Sequence, residues 1–250
     1  MRIDKLDVGV YKTRAEMGAA AVVRVSAKVK ELLGRKENVN IIFAAAPSQN
    51  EFLKGLLEAS IDWSRVRAFH MDEYIGLPPE ASQGFGNFLR ERLFEKAGFL
   101  AVHYIDGGAT DLKKECERYA GLLLEYPPDI VCMGIGENGH IAFNDPPVAD
   151  FNDPYMVKVV ELDLPCRQQQ VNDGCFLRLD QVPTHAITLT VPALMAGRFI
   201  YCIVPGRLKA EAVCNTLRQE IAEEYPASVL RRHEHAELFL DVDSAEKIVG

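Results

Sequence analysis

The chain has 250 residues, 48% of them hydrophobic, with 36 acidic against 28 basic side chains and a formal net charge of −8. That is apolar material for a sizeable core in one domain spanning residues 1–250, and the acidic balance excludes binding to nucleic acid or an anionic membrane through bulk charge. No apolar run approaches the roughly 20 residues that cross a bilayer, and Met1 to Asp7 lacks the apolar core of a secretion signal, so a cytoplasmic, soluble protein is expected.

In chain order, Thr13-Arg-Ala-Glu16 forms a capping box, in which hydroxyl and carboxylate satisfy free N–H groups, and it opens a helix that runs to Leu33 and ends at Gly34. Val39 to Ala45 reads as a strand. Pro47-Ser48-Gln-Asn-Glu51 supplies a second capping box for a helix over Phe52 to Ala59, so a strand, a tight loop and a helix start follow one another, and that junction suits an anion. Val66 to His70 is a strand running into Met71-Asp72-Glu73-Tyr74, where two adjacent carboxylates among apolar neighbours cannot both be buried cheaply. A helix over Phe88 to Ala97, a strand at Val102 to Ile105 and a helix from Leu112 to Leu124 come next.

Ile130 to Met133 is the apolar run of a buried parallel strand, and the stretch that follows holds Gly134, Gly136, Glu137, Asn138, Gly139, His140, Asn144 and Asp145. Gly134 to Gly139 is literally the G-x-G-x-x-G of dinucleotide sites, but that fingerprint needs a helix to start inside it. Here His140 to Asn144 reads as a short strand and Asp145-Pro146-Pro147 stops any helix, so no cofactor is expected. Strands at Met156 to Leu162 and Ala186 to Thr190 flank a short polar helix over Cys166 to Phe176. A strand at Phe199 to Val204, a helix from Leu208 to Ala222 behind Gly206, and a strand at Leu238 to Val242 close the chain.

This alternation predicts an α/β fold, a doubly wound, mostly parallel sheet with helices on both faces, Rossmann-like in class. Ligands collect at the carboxyl ends of such strands, where Ala45 to Ser48, Asp72 and Gly134 to His140 meet. The six cysteines, with no C-x-x-C pair, read as buried thiols, and neither a disulfide framework nor a metal site is expected. His70, His103 and His185 read as core or edge histidines, and His233 and His235 as members of a solvated loop.

The words Met71-Asp-Glu-Tyr-Ile-Gly-Leu-Pro78, Gly134 to Pro146, Gln181-Val-Pro-Thr-His-Ala-Ile-Thr188 and Pro205-Gly-Arg-Leu-Lys-Ala210 resemble the glucosamine-6-phosphate deaminase (isomerase) family, which has 6-phosphogluconolactonases as relatives. The resemblance implies roles. Asp72 matches the general base that moves a proton between C2 and C1 of the open-chain sugar. His140 matches the residue that helps open the ring, with the flanking acids of the family falling at Asn138 and Asp145. Lys209 matches a phosphate-binding lysine and Ala44 to Ser48 the phosphate loop; Ala45, Ala46, Ser48, Glu73, Gly136 and Arg167 complete the expected substrate set.

Departures from the family pattern cluster at this site. Ala44-Ala45-Ala46-Pro47 stands where Gly-Gly-Thr usually precedes the proline, and Asp173-Gly174-Cys175-Phe176 lacks the arginine that usually precedes the phenylalanine. Arg167 or Arg207 is a candidate substitute, although an arginine's bidentate grip on phosphate is hard to reproduce from another position. The expected activity is amino-sugar-phosphate isomerisation and deamination, glucosamine 6-phosphate and water giving fructose 6-phosphate and ammonia, or the same reaction on an analogue such as galactosamine 6-phosphate. A lactone hydrolase of the related branch and a non-catalytic sugar-phosphate sensor are the alternatives. The partner expected is a small sugar phosphate, with no nucleic acid and no membrane; homo-oligomerisation is left open.

Overall fold

The computed structural model describes residues 1–248. Its strands are β1 (Arg2–Ile3), β2 (Leu6–Tyr11), β3 (Val39–Phe43), β4 (Val66–His70), β5 (Asp72–Tyr74), β6 (Ala101–His103), β7 (Ile130–Met133), β8 (Val157–Glu161), β9 (His185–Leu189), β10 (Phe199–Val204) and β11 (Ala236–Asp241). The helices are α1 (Arg14–Leu33), α2 (Asn50–Glu58), α3 (Phe85–Leu89), α4 (Leu112–Glu125), α5 (Leu164–Asn172), α6 (Val191–Met195) and α7 (Ala210–Arg218).

Eight strands form one sheet in the order β1-β2-β11-β10-β7-β3-β4-β6. Within this sheet, among the described residues, only the β1/β2 pair is antiparallel. Side chains alternate along the central strands between two cores. Ile41, Phe43, Ile130, Cys132, Tyr201 and Ile203 pack toward α1 and α2, while Ile42, Val131, Met133, Ile200, Cys202 and Val204 pack toward α4 and α7. Burial on both faces is why these strands are continuous apolar runs rather than alternating ones. The mostly parallel, two-faced sheet is the one the sequence predicts.

The strand order places the site. From β3 the chain winds outward through β4 to β6, then returns to β7 on the other side of β3 and proceeds to β10 and β11. The order reverses between β3 and β7, and a crevice opens at their carboxyl ends. The loops leaving those two strands are residues 44–49 and 134–140.

A second, three-stranded antiparallel sheet, β5-β9-β8, lies outside the sequence expectation of a single sheet. β5 is too short to show a period, and β8 and β9 read the same whether they join one sheet or two. β1 and β2 were not predicted either. Four predicted details are corrected. Ser48 caps nothing: it sits inside a 3-10 turn, Pro47–Gln49, and Glu51 bonds Arg14 Nε at 2.7 Å instead of closing a capping box. Residues 140–144 are a tight turn with Ala142 at φ 47°, not a strand. The predicted Phe88–Ala97 helix starts earlier, at Phe85, and continues as a π-helical turn over Arg90–Phe94. α7 ends at Arg218, short of Ala222. The Thr13 cap holds, accepting from Glu16 N at 3.1 Å.

At the opposite end of β7 from the crevice, Asp129 is 2% exposed and accepts from Lys36 Nζ at 2.7 Å and from Asn40 N at 2.9 Å. This pins the start of β3 to β7. Asp129→Ala strands the buried Asn40 N–H while Lys36 turns to water, so an expected loss of about 1–3 kcal/mol follows. A denaturant titration checks it; an unchanged midpoint would show the pin to be idle.

Candidate active site

β4 delivers the first catalytic candidate through a brace. His70 is fully buried; its Nδ1 lies 2.9 Å from the Asp72 carbonyl and its Nε2 accepts from Ile105 N at 2.9 Å. An N–H donor at Ile105 makes Nε2 the acceptor, so the proton resides on Nδ1 and is donated to Asp72 O. Burial lowers the pKa to about 4, which keeps the ring neutral in this role. His70 is therefore the core histidine the sequence predicts, and it fixes the backbone at Asp72.

Asp72 is 7% exposed, and its carboxylate makes no hydrogen bond to the described residues. Burial first, and the neighbouring Glu73 charge second, raise its pKa well above the usual carboxylate value. Glu73 alternates to the other side of β5, where its carboxylate accepts from Tyr74 N, Phe85 N and Gly86 N at 2.8–3.0 Å. It holds the start of α3 and does not line the cleft, contrary to its expected place in the substrate set. The two acids are thus sorted as their adjacency requires, one satisfied by backbone donors and one left free at the cleft.

The loop after β7 supplies the second group. No helix begins in Gly134 to Gly139, in line with the rejection of a dinucleotide fingerprint. The glycines serve another end: a Cβ at Gly136 would lie 2.2–2.4 Å from the His140 ring, and Gly139 takes φ 87°. Only glycine lets the imidazole fold back over its own loop. His140 Nδ1 lies 2.7 Å from Asn138 Oδ1 and 2.9 Å from a carboxylate oxygen of Asp145. Asn138 Nδ2 donates to that same carboxylate at 3.0 Å. Burial pushes Asp145 upward, but the His140 contact, the Asn138 amide and the Asp163 N–H together outweigh it and hold the pKa below the ordinary value. An ionised Asp145 thus backs the imidazole. The amide at position 138 bridges to Asp163 as well, at 3.3 Å, and Asp163 caps α5 by accepting from Cys166 N at 2.7 Å. Asp163 was missed, although Asp163-Leu-Pro165 is a cap followed by a first-turn proline.

The cleft's other end gathers backbone N–H groups and one ammonium. Ala44, Ala45, Ala46, Ser48 and Gln49 line it from the β3 side, Gly134 and Gly136 from the β7 side, and Lys209 from the loop after β10. Ala44 N is used by Cys132 O at 2.8 Å, whereas the N–H groups of Ala45, Ala46 and Ser48 have no acceptor among the described residues. Ser48 Oγ accepts from Gln49 Nε2 at 3.2 Å. Lys209 is 6% exposed and its Nζ has no partner among the described residues. Burial lowers its pKa, opposed by the more distant charges of Asp173 and Glu137. A buried ammonium without a counter-ion, facing free N–H groups, calls for an anionic ligand.

Lys209 owes its place to Asp241. Gly206, at φ 94°, donates its N–H to both carboxylate oxygens of Asp241 at 3.0 and 3.1 Å, and Ser244 N donates at 2.8 Å. Asp241→Ala is expected to raise KM for a phosphorylated substrate several-fold with little change in kcat, while Asp241→Asn, which keeps one acceptor, recovers most of the loss. Equal falls in kcat for both variants would contradict this positioning role.

Arg167 is not brought to the cleft: its Nη2 donates to Leu179 O and Val182 O, both at 2.9 Å, and ties down the 179–182 turn. It does not replace the missing arginine. Instead Gln169 and Gln170 line the cleft, residues the sequence reading passed over as part of a polar helix. Gln169 Oε1 accepts from Glu137 N at 2.7 Å, and the Gln170 side chain lines the cleft beside it.

A crevice at a topological switch point, with a free carboxylate, a backed imidazole and an anion end, defines an α/β enzyme of proton transfer on a small anionic substrate. The chain belongs to the family described as glucosamine-6-phosphate isomerases/6-phosphogluconolactonase, whose model matches residues 12–161. Among curated relatives, a glucosamine-6-phosphate deaminase of Bacillus cereus is 37% identical over 216 residues, 86% of this chain and 80% of that protein. The solved structure of a monomeric glucosamine-6-phosphate deaminase superposes with a TM-score of 0.88 at 26% identity, covering 96% of this chain and 99% of that one. A 6-phosphogluconolactonase from Thermotoga maritima, 21% identical with a TM-score of 0.78 and covering 95% of this chain and all (100%) of that one, shares the fold.

Proposed function

We propose that the protein isomerises and deaminates an amino-sugar 6-phosphate, converting glucosamine 6-phosphate and water to fructose 6-phosphate and ammonia. The observation that carries this reading is Asp72, a buried carboxylate with no hydrogen bond, in the same cleft as His140 and Lys209. Lys209 and the N–H groups of Ala45, Ala46 and Ser48 hold the phosphate. His140, charge-compensated by Asp145 and oriented by Asn138, takes the proton of the C1 hydroxyl and gives one to the ring oxygen as the bond between C1 and the ring oxygen breaks, leaving an aldehyde at C1. Asp72 takes the C2 proton and returns it to C1, while the C1 oxygen takes up a proton and the C2 amine gives one up through water. The resulting imine at C2 adds water and releases ammonia. Every proton moves through these side chains and water, so no metal is required, and turnover should survive dialysis against a chelator.

A lactone hydrolase has no carbon acid to ionise, and a free base at Asp72 would be wasted on it. The deciding experiment offers glucosamine 6-phosphate, galactosamine 6-phosphate and 6-phosphogluconolactone to the protein in parallel. Ammonia release from an amino-sugar phosphate is expected. Accelerated loss of the lactone with no ammonia from either sugar would overturn the reading. No helix among the described residues is long and apolar enough to cross a membrane; with a charged phosphosugar as substrate, we assign the protein to the cytoplasm.

A further inference from the structure

Cys166 has no part in the proton transfers above, yet it lies against their machinery. Among the described residues, His140, Asp145 and Cys166 form the one group of three metal-binding side chains, all buried, with ligand atoms within 4.8 Å of one another. Imidazole, carboxylate and thiol together form the donor set of zinc-like cations rather than of magnesium or calcium. The spacing fits as well. Bond lengths of about 2.0 Å to nitrogen or oxygen and 2.3 Å to sulfur put tetrahedral N···O and S···O edges at about 3.3 and 3.5 Å. The present His140–Asp145 span is 2.9 Å, so a cation entering between them needs a shift of tenths of an ångström there and at most about 1.3 Å at the sulfur.

Cys166 stands in the first turn of α5, and burial together with the Asp145 and Asp163 carboxylates raises its thiol pKa well above the ordinary value, so its proton leaves only as a cation takes its place. Asn138 Oδ1, 2.7 Å from His140 Nδ1, is near enough to serve as a further oxygen donor.

We propose that His140, Asp145 and Cys166 form an inhibitory binding site for a thiophilic divalent cation of the zinc class. The binding claim stands on this cluster alone; the inhibition claim rests on the role proposed for His140. On binding, the Cys166 thiol gives its proton to solvent and its sulfur bonds the cation, while the neutral imidazole moves its proton from Nδ1 to Nε2 and coordinates through Nδ1. The imidazole then no longer exchanges a proton with the substrate through an Asp145-backed cycle, and turnover stops.

The test titrates chelator-treated full-length protein with Co2+, whose bond to a thiolate gives a near-ultraviolet charge-transfer band, and in parallel measures inhibition of ammonia release by Zn2+. One equivalent of cobalt is expected to develop the band in the wild type and in Cys175→Ala, and none in Cys166→Ala or the near-isosteric Cys166→Ser. The Zn2+ concentration for half-inhibition should rise at least tenfold in the Cys166 variants, with metal-free turnover within about twofold of wild type. A band that persists without Cys166, or equal Zn2+ inhibition of wild type and variants, would overturn the site. Because the cobalt band needs no substrate, a wrong substrate assignment would leave that arm intact and show itself separately as absent ammonia release.

Discussion

Asp72→Asn is expected to lower turnover by on the order of 10²–10⁴-fold, the usual contribution of a positioned general base, and to make the protein more stable at neutral pH. An amide of the same shape cannot accept the C2 proton. The stability gain follows from the environment: the folded pKa of Asp72 is raised, by burial first and Glu73 second, above the unfolded value near 3.9. Between those two values the folded state binds the extra proton, so stability falls as pH rises, and above the folded pKa the buried charge is carried at full cost. Removing it is expected to give about 0.5–2 kcal/mol, the common size of a stabilising substitution at an active site. The gain should vanish below pH 4, where both states of the wild type are neutral. The same raised pKa puts the acid limb of the kcat/KM profile above the ordinary carboxylate range, because only ionised Asp72 accepts a proton. Thermal melts at two pH values and the rate profile check both statements. A variant that is inactive yet less stable at pH 7 would mean that Asp72 is a structural acid.

Lys209→Ala is expected to raise KM for a 6-phosphate sugar by about 10–150-fold, the equivalent of one charge-assisted hydrogen bond of about 1.5–3 kcal/mol. The effect lies toward the upper end because, among the described residues, no second cation lines the site, and Arg207 is exposed and pairs with Glu246 at 3.3 Å. Arg167 is committed to two carbonyls, Arg14 Nε to Glu51, and a guanidinium at position 174 or 175 is absent. Binding of the unphosphorylated sugar should hardly change, and the wild type should still prefer the phosphate. Competition by inorganic phosphate in wild type and variant gives a direct check. A Lys209→Ala protein that retained wild-type KM for the phosphorylated substrate would remove the ammonium from the anion site, and equal handling of free and phosphorylated sugars by the wild type would remove the site itself.

Much of this was legible from the sequence where local chemistry decided the outcome. The apolar runs Ile130 to Met133 and Phe199 to Val204 became β7 and β10 at the predicted bounds, because burial on both faces leaves no other reading. The proline pair after Asp145 rightly argued against a helix in the glycine-rich turn. Asp72, His140, Asn138, Asp145, Lys209 and the Ala44 to Ser48 loop do converge, because each stands at a strand's carboxyl end near one switch point. What the sequence hid depended on direction and partners. Glu73 and Asp72 are neighbours in sequence, but strand alternation sends them to opposite sides, and only the position of the α3 N-terminus shows which is satisfied. Arg167 looked free until the carbonyls of Leu179 and Val182, a turn away in space, claimed it. Gln169 and Gln170 are unremarkable as letters and become site residues only when α5 lies over the cleft. Asp241 holds Gly206, at the head of the Lys209 turn, from the end of β11, the sheet neighbour of β10, and lies 32 residues beyond Lys209 in the chain.

The most direct test of the account is turnover of glucosamine 6-phosphate in deuterated water, with the hexose phosphates followed by NMR as ammonia is released. The account predicts fructose 6-phosphate carrying solvent deuterium at C1, with the label's appearance abolished in Asp72→Asn and retained in Lys209→Ala at raised substrate concentration. Ammonia release from the wild type with full, Asp72-independent labelling, or no product at all from any amino-sugar phosphate, would contradict it.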